Sequence, residues 1–529
     1  MASLVERGVA ADAGAGARTP AIGMAAYYAL GVLALANVLN YLDRQIVSIL
    51  AQSIKADLKL DDADLGFLLG TAFAVFYSVV GIAMGRISDG LPRKKVMALG
   101  LALWSSMTAL GGAAANFAML GVARIGVGVG EAVANPCSHS LLADIFPPQR
   151  RAIAMSILLS GVFAGGALAL FLGGYFLEHW DAMCTAVPIA GACEVAPWKA
   201  AMFTVALPGL PLALMILAIR EPARATEAQG SKMGFVLGEF ATAIPPFTML
   251  TVWRLAGLRG LGRNMLIAAL LAVAAAILTH LTGDIAQWAA FALGAYAVVT
   301  WGQVQSYRDK PLYRLTFGDR TFLLATISTA LVACVGGAVH VWSAPYAMRT
   351  FSIPAHELGL SLGVASIAGG VLGVLLGGWA TDRWKRSDLR APVGITAISL
   401  LGGVPCILTM LLVEEFAVFI GAAFILGIFS ALWSGATAAM VQDLVLPRMR
   451  GSAAASYSLV AIVISSGTGP YWAGKVSALT GSLTAGLLSI MILVPIALYF
   501  LWRVSRRLPH ETSEARLAIA RQAGEPAHA

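Results

Sequence analysis

The chain is 529 residues long, with 58% hydrophobic residues, only 12% charged ones and a formal net charge of +8. A soluble globular domain sits nearer about 45–50% apolar and about 25% charged, so this composition excludes a water-soluble enzyme or binding domain. The basic excess does not imply a nucleic-acid partner, because the Lys and Arg residues fall in short loops on one side of the apolar runs.

Residues 1–23 are Ala/Gly-rich and lack the ordered n-region, h-region and cleavage site of a signal peptide, which reads as a cytoplasmic tail. A helix needs about 20 apolar residues to cross the hydrocarbon core. On that criterion spans are predicted at 24–53, 63–87, 94–115, 117–143, 150–178 and 199–219, making an N-terminal six-helix bundle over 24–220. A cytoplasmic linker follows over 221–320. Its first part is basic and broken by Pro245-Pro246, and interfacial helices are expected there. Two apolar runs then follow, 265–281 and 285–301, with Arg259 and Arg263 before them and Arg308, Lys310 and Arg314 after them. These flanks fit an accessory in–out–in hairpin (about 264–307), giving fourteen spans; the alternative is a hairpin lying in the interface, since both runs are short. The hairpin has no counterpart elsewhere in the chain, so the two bundles are expected to assemble without it. Six more spans, at 321–350, 357–381, 391–412, 416–441, 451–478 and 482–504, make a C-terminal bundle over 321–507. The polar tail, 508–529, is expected to be disordered.

The loops orient the chain. Arg93, Lys94, Lys95, Arg150, Arg151, Arg383, Lys385 and Arg386 lie on one side, and Asp57, Asp61, Asp62, Asp64, Glu178, Asp181, Glu414 and Glu415 on the other. By the positive-inside rule both termini are cytoplasmic and the protein is a multi-pass component of an inner or plasma membrane. Cys137, Cys334 and Cys406 fall in apolar runs; Cys184 and Cys193 flank a polar outer loop and are expected to be bridged, oxidation being permitted there. No Cys or His spacing suggests a metal, no cofactor motif is present, and no phosphate-binding Gly-Lys-Ser/Thr loop suggests an ATP-driven pump.

Two pairs of motifs repeat in the same order in the two halves. Gly85-Arg-Ile-Ser-Asp89 matches Gly378-Trp-Ala-Thr-Asp382, and Asp144-Ile-Phe-Pro-Pro-Gln-Arg-Arg151 matches Asp443-Leu-Val-Leu-Pro-Arg-Met-Arg450. Duplicated punctuation of long apolar halves points to a transporter. Asp89 with Arg93, Asp144 with Arg151, Asp382 with Arg383 and Asp443 with Arg450 are expected to be cytoplasmic latches between the halves, the alternative being plain helix stops. Glycine runs such as Gly161-x-x-x-Gly165 and Gly369-x-x-x-Gly373-x-x-x-Gly377 are expected to let helices approach closely.

Ionisable groups inside a bilayer are costly, so each is a functional candidate. Asn37, Tyr41, Arg44 and Ser48 recur at helical spacing, with Asp43 beside them; Arg124, Gly128, Glu131, Asn135 and Ser138 share one face of the fourth span. Neighbouring residues point about 100° apart on a helix, so Asp43 and Arg44 cannot simply neutralise each other. A carboxylate such as Glu131, balanced between desolvation and a nearby arginine, can load and release a proton; a static ion pair between spans one and four is the alternative. Asn37, Tyr41, Arg44, Arg124, Asn135 and His340 are the candidate cavity residues, and Asp43 and Glu131 are expected to face the same cavity.

Gly85-x-x-x-Asp89 with Arg93-Lys94, and Arg124-Ile-Gly-Val-Gly128-Val-Gly130, resemble the signature loop and fourth-helix motif of the major facilitator superfamily. Asn40-Tyr41-Leu-Asp43-Arg44 and Gly128-Val-Gly130-Glu131-Ala132 resemble its spinster branch. Gly90 and Pro92 depart from the usual basic residue and glycine of the signature loop. The resemblance implies an all-helical membrane fold of two pseudo-symmetric six-helix bundles. It also implies a protonatable Asp43/Glu131 pair linked by Arg44, and proton-coupled movement of a lysophospholipid-like or other amphipathic or anionic solute by a monomer in the bilayer. A drug or sugar-acid transporter of the same superfamily is the nearest alternative. A membrane enzyme would need a compact catalytic constellation at one surface, and the sequence offers none.

Overall fold

A computed structural model describes residues 23–186, 191–222, 232–351 and 353–526; the expected N-terminal tail lies almost wholly outside them. The protein is helical throughout, and thirteen helices among the described residues are long and apolar enough to cross a membrane. In chain order α1 is Met24–Leu58, α2 Asp62–Ser88, α3 Arg93–Gly112, α4 Phe117–Ile145, α5 Pro148–Met183 and α6 Pro197–Leu217. The linker carries α7 (Lys232–Ala243), α8 (Thr248–Thr282), α9 (Ile285–Arg308) and the short α10 (Lys310–Leu315). The second half is α11 (Arg320–Thr350), α12 (Ala355–Lys385), α13 (Ala391–Leu412), α14 (Phe416–Asp443), α15 (Pro447–Thr480) and α16 (Leu483–His510), followed by α17 (Ser513–Gln522). The helix α3, which opens with three basic residues, fills the place of the third expected span. Apolar helices satisfy their own backbone groups, which is why these ends follow the sequence pattern so closely.

The glycine runs act as expected. Cβ atoms at Gly369, Gly373 and Gly377 would stand 2.2–2.4 Å from carbonyl oxygens of α14, so α12 lies directly on its backbone. Across the two halves α5 packs on α12 and α1 on α11, while α2 packs on α15.

Two expectations are corrected. First, the hairpin is more than an appendage. Helix α8 is exposed along its apolar length and bends at Gly257, whose φ of 64° is left-handed. Helix α9, clasped to α8 by Asn264 through Gln303 (2.7 Å) and Tyr296 (2.5 Å), lies along the seam between the halves. Its buried Gln287 accepts from Thr71 of α2 (2.6 Å) and donates to the Gly467 carbonyl of α15 (2.9 Å). Trp301 donates to Ser456, and Asp284 takes Lys475 at 2.7 Å. An internal repeat reveals which segments are extra but not what they touch.

Second, the C-terminal tail is ordered through residue 526. Arg516 of α17 is fully buried between Asp319 (3.1 Å) and Glu511 (2.8 Å), and Arg448 joins Asp309 (2.9 Å) and Glu525. The polar composition of the tail is a set of partners for buried charge. Among the described side chains, the repeated acids that form ion pairs do not bridge the halves in this conformation, and a latch that forms in one state and breaks in the other need not be closed in it. Arg93 binds Asp144 (2.7 Å) within the first half and Glu221 (2.8 Å) at the start of the linker, and Lys385 binds Asp443 (2.5 Å) within the second half. Helix α12 runs on to Lys385, so Lys385 rather than Arg383 meets Asp443. Asp382, Arg383 and Arg450 are exposed and form no ion pair among the described residues, and Arg151 leaves its Nε unpartnered. The Asp89 side chain lies outside the described set. Cys184 and Cys193 are disulfide-bonded, as expected.

Candidate functional site

The two bundles enclose a cavity of about 510 Å³. Its wall on the first half carries Tyr41 and Arg44 of α1 with Phe73 and Tyr77 of α2; its wall on the second half is largely Val335, Val339, Leu362, Ile407, Met410 and Leu426, with His340, Ser366 and Ser430 as polar points. That volume is within the usual range for a drug-sized ligand, about 300–1,000 Å³.

Arg44 is the cation of this cavity. Its Nη2 donates to Glu131 Oε2 at 2.8 Å and its Nε to the same oxygen at 3.3 Å. The Glu131 side chain is 0% exposed and that of Arg44 26% exposed. Glu131 therefore lies behind the guanidinium, which keeps a face toward the cavity. The rings of Tyr41, Phe73 and Tyr77 stand 4.8, 4.5 and 4.9 Å from the guanidinium carbon, an arrangement that favours a planar arginine over a lysine. Close helix approach builds the cage: a Cβ at Gly128 would lie 2.6 Å from the Phe73 carbonyl, so only glycine lets α4 bring Glu131 up to α2 and α1. Asn135 donates to the Tyr77 hydroxyl at 3.0 Å and so holds one ring of the cage.

Not all the candidate residues meet here. Asp43 does not face the cavity. With Arg44 turned inward, its neighbour must point about 100° away, and the Asp43 carboxylate is buried toward Trp104 and Thr108 of α3. Neither carboxylate oxygen has a hydrogen bond of ordinary geometry, nor do the Trp104 indole N–H and the Thr108 hydroxyl, which approach the carboxylate more loosely. Asn37 is also outside the cavity, donating to the Leu158 carbonyl of α5 at 2.6 Å. Arg124 is buried as a staple, donating to the backbone carbonyls of Leu68 and Asp43 at 3.3 Å each. Tyr41, Arg44 and His340 line the cavity as expected.

Sequence reading missed the junction that does join the halves. On the face opposite the basic loops, Asp62 at the start of α2 accepts from Arg349 of α11 at 2.7 and 2.8 Å, from Lys55 at 2.6 Å and from Ser477 of α15 at 2.5 Å. Four acids in one short loop, Asp57, Asp61, Asp62 and Asp64, were the available signal, but only the fold singles out one of them.

Two bundles around a caged arginine and a largely apolar cavity have the build of a multi-pass membrane transporter of small molecules. The family model of the Major Facilitator Superfamily matches residues 33–343, more than half of the chain, and the chain belongs to that family; spinster proteins are among the relatives it is similar to. It is 28% identical over 476 residues to an MFS-type efflux pump of Mycolicibacterium smegmatis, covering 89% of each chain. It is 22% identical over 480 residues to the sphingosine-1-phosphate transporter SPNS2 of Danio rerio, covering 87% of this chain and 76% of that one. A solved structure of a bacterial homolog to the human lysosomal transporter Spinster, inward-facing and unoccupied, matches with a TM-score of 0.70 at 22% identity over 93% of this chain and 99% of that one.

Proposed function

We propose that this protein moves an amphipathic anion across a cell membrane in exchange for or together with protons, by alternating access of the cavity to the two sides. The observation that carries the reading is the Arg44 guanidinium, caged by three rings and part-exposed at one wall of an otherwise apolar cavity. A single-chain lipid phosphate or carboxylate has the matching form: its anionic head meets Arg44 and its chain lies along Val335, Val339 and Leu362. An incoming anion competes with Glu131 for the guanidinium, and a proton on Glu131 releases Arg44 to the substrate, which couples the two ligands. The SPNS2 relative carries sphingosine-1-phosphate by name, which agrees with an anionic lipid headgroup. On this reading both termini are cytoplasmic, so the side on which Asp62 bridges to Arg349 is the outer one, and the halves are closed there. The test is thermal stabilisation of the purified protein over a panel of lysolipids, sphingoid phosphates, organic acids and cationic drugs. Stabilisation by anionic single-chain lipids that disappears in Arg44→Ala supports the reading; stabilisation by cationic drugs alone overturns it in favour of a drug pump.

A further inference from the structure

The outer ends of α5 and α12 bring together three side chains that the sequence holds far apart. Glu178 and His179 come from the last turns of α5, and His356 from the first turn of α12; one ligating atom of each lies within 4.8 Å of the other two. Sequence spacing suggests no metal site, because no two-residue interval links α5 to α12.

The packing explains the meeting. A Cβ at Gly174 would stand 2.2 Å from the Ala355 carbonyl oxygen, so glycine alone admits the first turn of α12 against α5. Glu178 lies one turn further along the same face of α5. There its Oε2 pairs with His356 Nδ1 and also faces the His356 backbone N–H at 3.5 Å. The His179 ring stacks on Tyr175 with 4.4 Å between centroids, and its Nδ1 bonds the Tyr175 carbonyl at 3.2 Å. That bond fixes the ring and leaves Nε2 free, the outer-shell arrangement that metal-binding imidazoles use. The two imidazoles stand 5.4 Å apart and nearly perpendicular, at 73°.

We propose that Glu178, His179 and His356 form a binding site for a divalent transition ion of the zinc class, and that the bound ion locks the outer ends of the two halves together. Two imidazole nitrogens and one carboxylate are a donor set for zinc, with water completing a tetrahedron; magnesium and calcium prefer all-oxygen shells and are poor fits. The site exists only while α5 and α12 touch, so the ion binds the closed-outside state and not the one in which these ends separate. An ion present at 100 times its dissociation constant then favours the closed state about 100-fold. The locking clause rests on the alternating-access reading, whereas the binding clause does not.

The test uses the full-length protein, purified in detergent and stripped with a chelator. Calorimetric titration with zinc is expected to show one site, cobalt to give the visible absorption of a tetrahedral complex, and magnesium to give neither. His356→Ala should weaken zinc binding at least tenfold. His179→Ala does the same without removing a bond between the halves, so it serves if His356→Ala fails to fold. No zinc binding by the unaltered protein, or binding by both variants as tight as by the unaltered protein, overturns the site. A second arm reads the lock with no substrate present. Ser343→Cys, in the cavity wall, is labelled with a membrane-impermeant maleimide from the outer side. Zinc should slow this labelling severalfold, and the effect should vanish when His179→Ala is added. Zinc binding with unchanged labelling overturns the lock and leaves the site standing; a failure of substrate transport bears on neither arm.

Discussion

Replacing Glu131 by Gln and Asp43 by Asn should have very unequal consequences, although both substitutions neutralise a buried carboxylate in the same region. Glu131 is fully buried and takes two N–H groups from Arg44. Removing one partner of a buried ion pair costs about 3–5 kcal/mol. Arg44 keeps its three ring faces and an outlet to the cavity, and Gln retains an acceptor oxygen, so the lower end applies, about 3 kcal/mol. That is a factor of about 100 in the folding equilibrium at about 1.4 kcal/mol per decade. Asp43 has no hydrogen bond of ordinary geometry to lose, only the looser approach of Thr108 and Trp104. An amide in its place buries no charge and offers a donor to the Thr108 hydroxyl, so Asp43→Asn should change stability by about 1 kcal/mol or less in either direction. Thermal or denaturant unfolding in detergent measures this difference. In reconstituted vesicles with an imposed pH gradient, Glu131→Gln should also lose gradient-driven accumulation while keeping substrate exchange, since no proton is bound and released. If Asp43→Asn destabilises as much as Glu131→Gln, the separation of the two carboxylates is wrong. Full accumulation by Glu131→Gln would reduce the Arg44–Glu131 bond to a structural pair.

Three further outcomes are expected. A Cβ at Gly359 would fall 2.2 Å from the Leu170 carbonyl in the seam between α5 and α12; Gly359→Ala should disfavour the closed-outside state, read as faster outer-side labelling of a cavity cysteine, and unchanged labelling counts against that state. Gln287→Leu removes bonds to both halves and leaves the buried Thr71 hydroxyl with only the Gly467 carbonyl; it should cost about 1–3 kcal/mol, whereas an appendage would show no change in unfolding. Arg516→Ala deprives Asp319 and Glu511 of their shared cation and should free the tail to limited proteolysis near residue 511 with the bundles intact; equal protease resistance would show that the helix is held by other contacts.

The helices and the importance of two charges were legible in the sequence, because both are local. A run of about 20 apolar residues can satisfy its backbone in a bilayer only as a helix, so the positions of α1 through α16 follow composition and length. Arg44 and Glu131 stand out because charge is scarce in such runs, and the two glycine runs announce close packing. What a residue meets is another matter. Helical periodicity assigns a side chain to a face of its own helix but not to a neighbour, and the neighbour is chosen by how helices from distant parts of the chain pack. For that reason only the tertiary structure took Asp43 out of the cavity, chose Asp62 as the link to Arg349 and wedged α9 into the seam. The same holds for the tail, whose polar composition suggests disorder until Arg516 is seen to need Asp319, a partner nearly two hundred residues earlier. Glu178, His179 and His356 became neighbours for one physical reason, the approach of two helix ends that Gly174 permits.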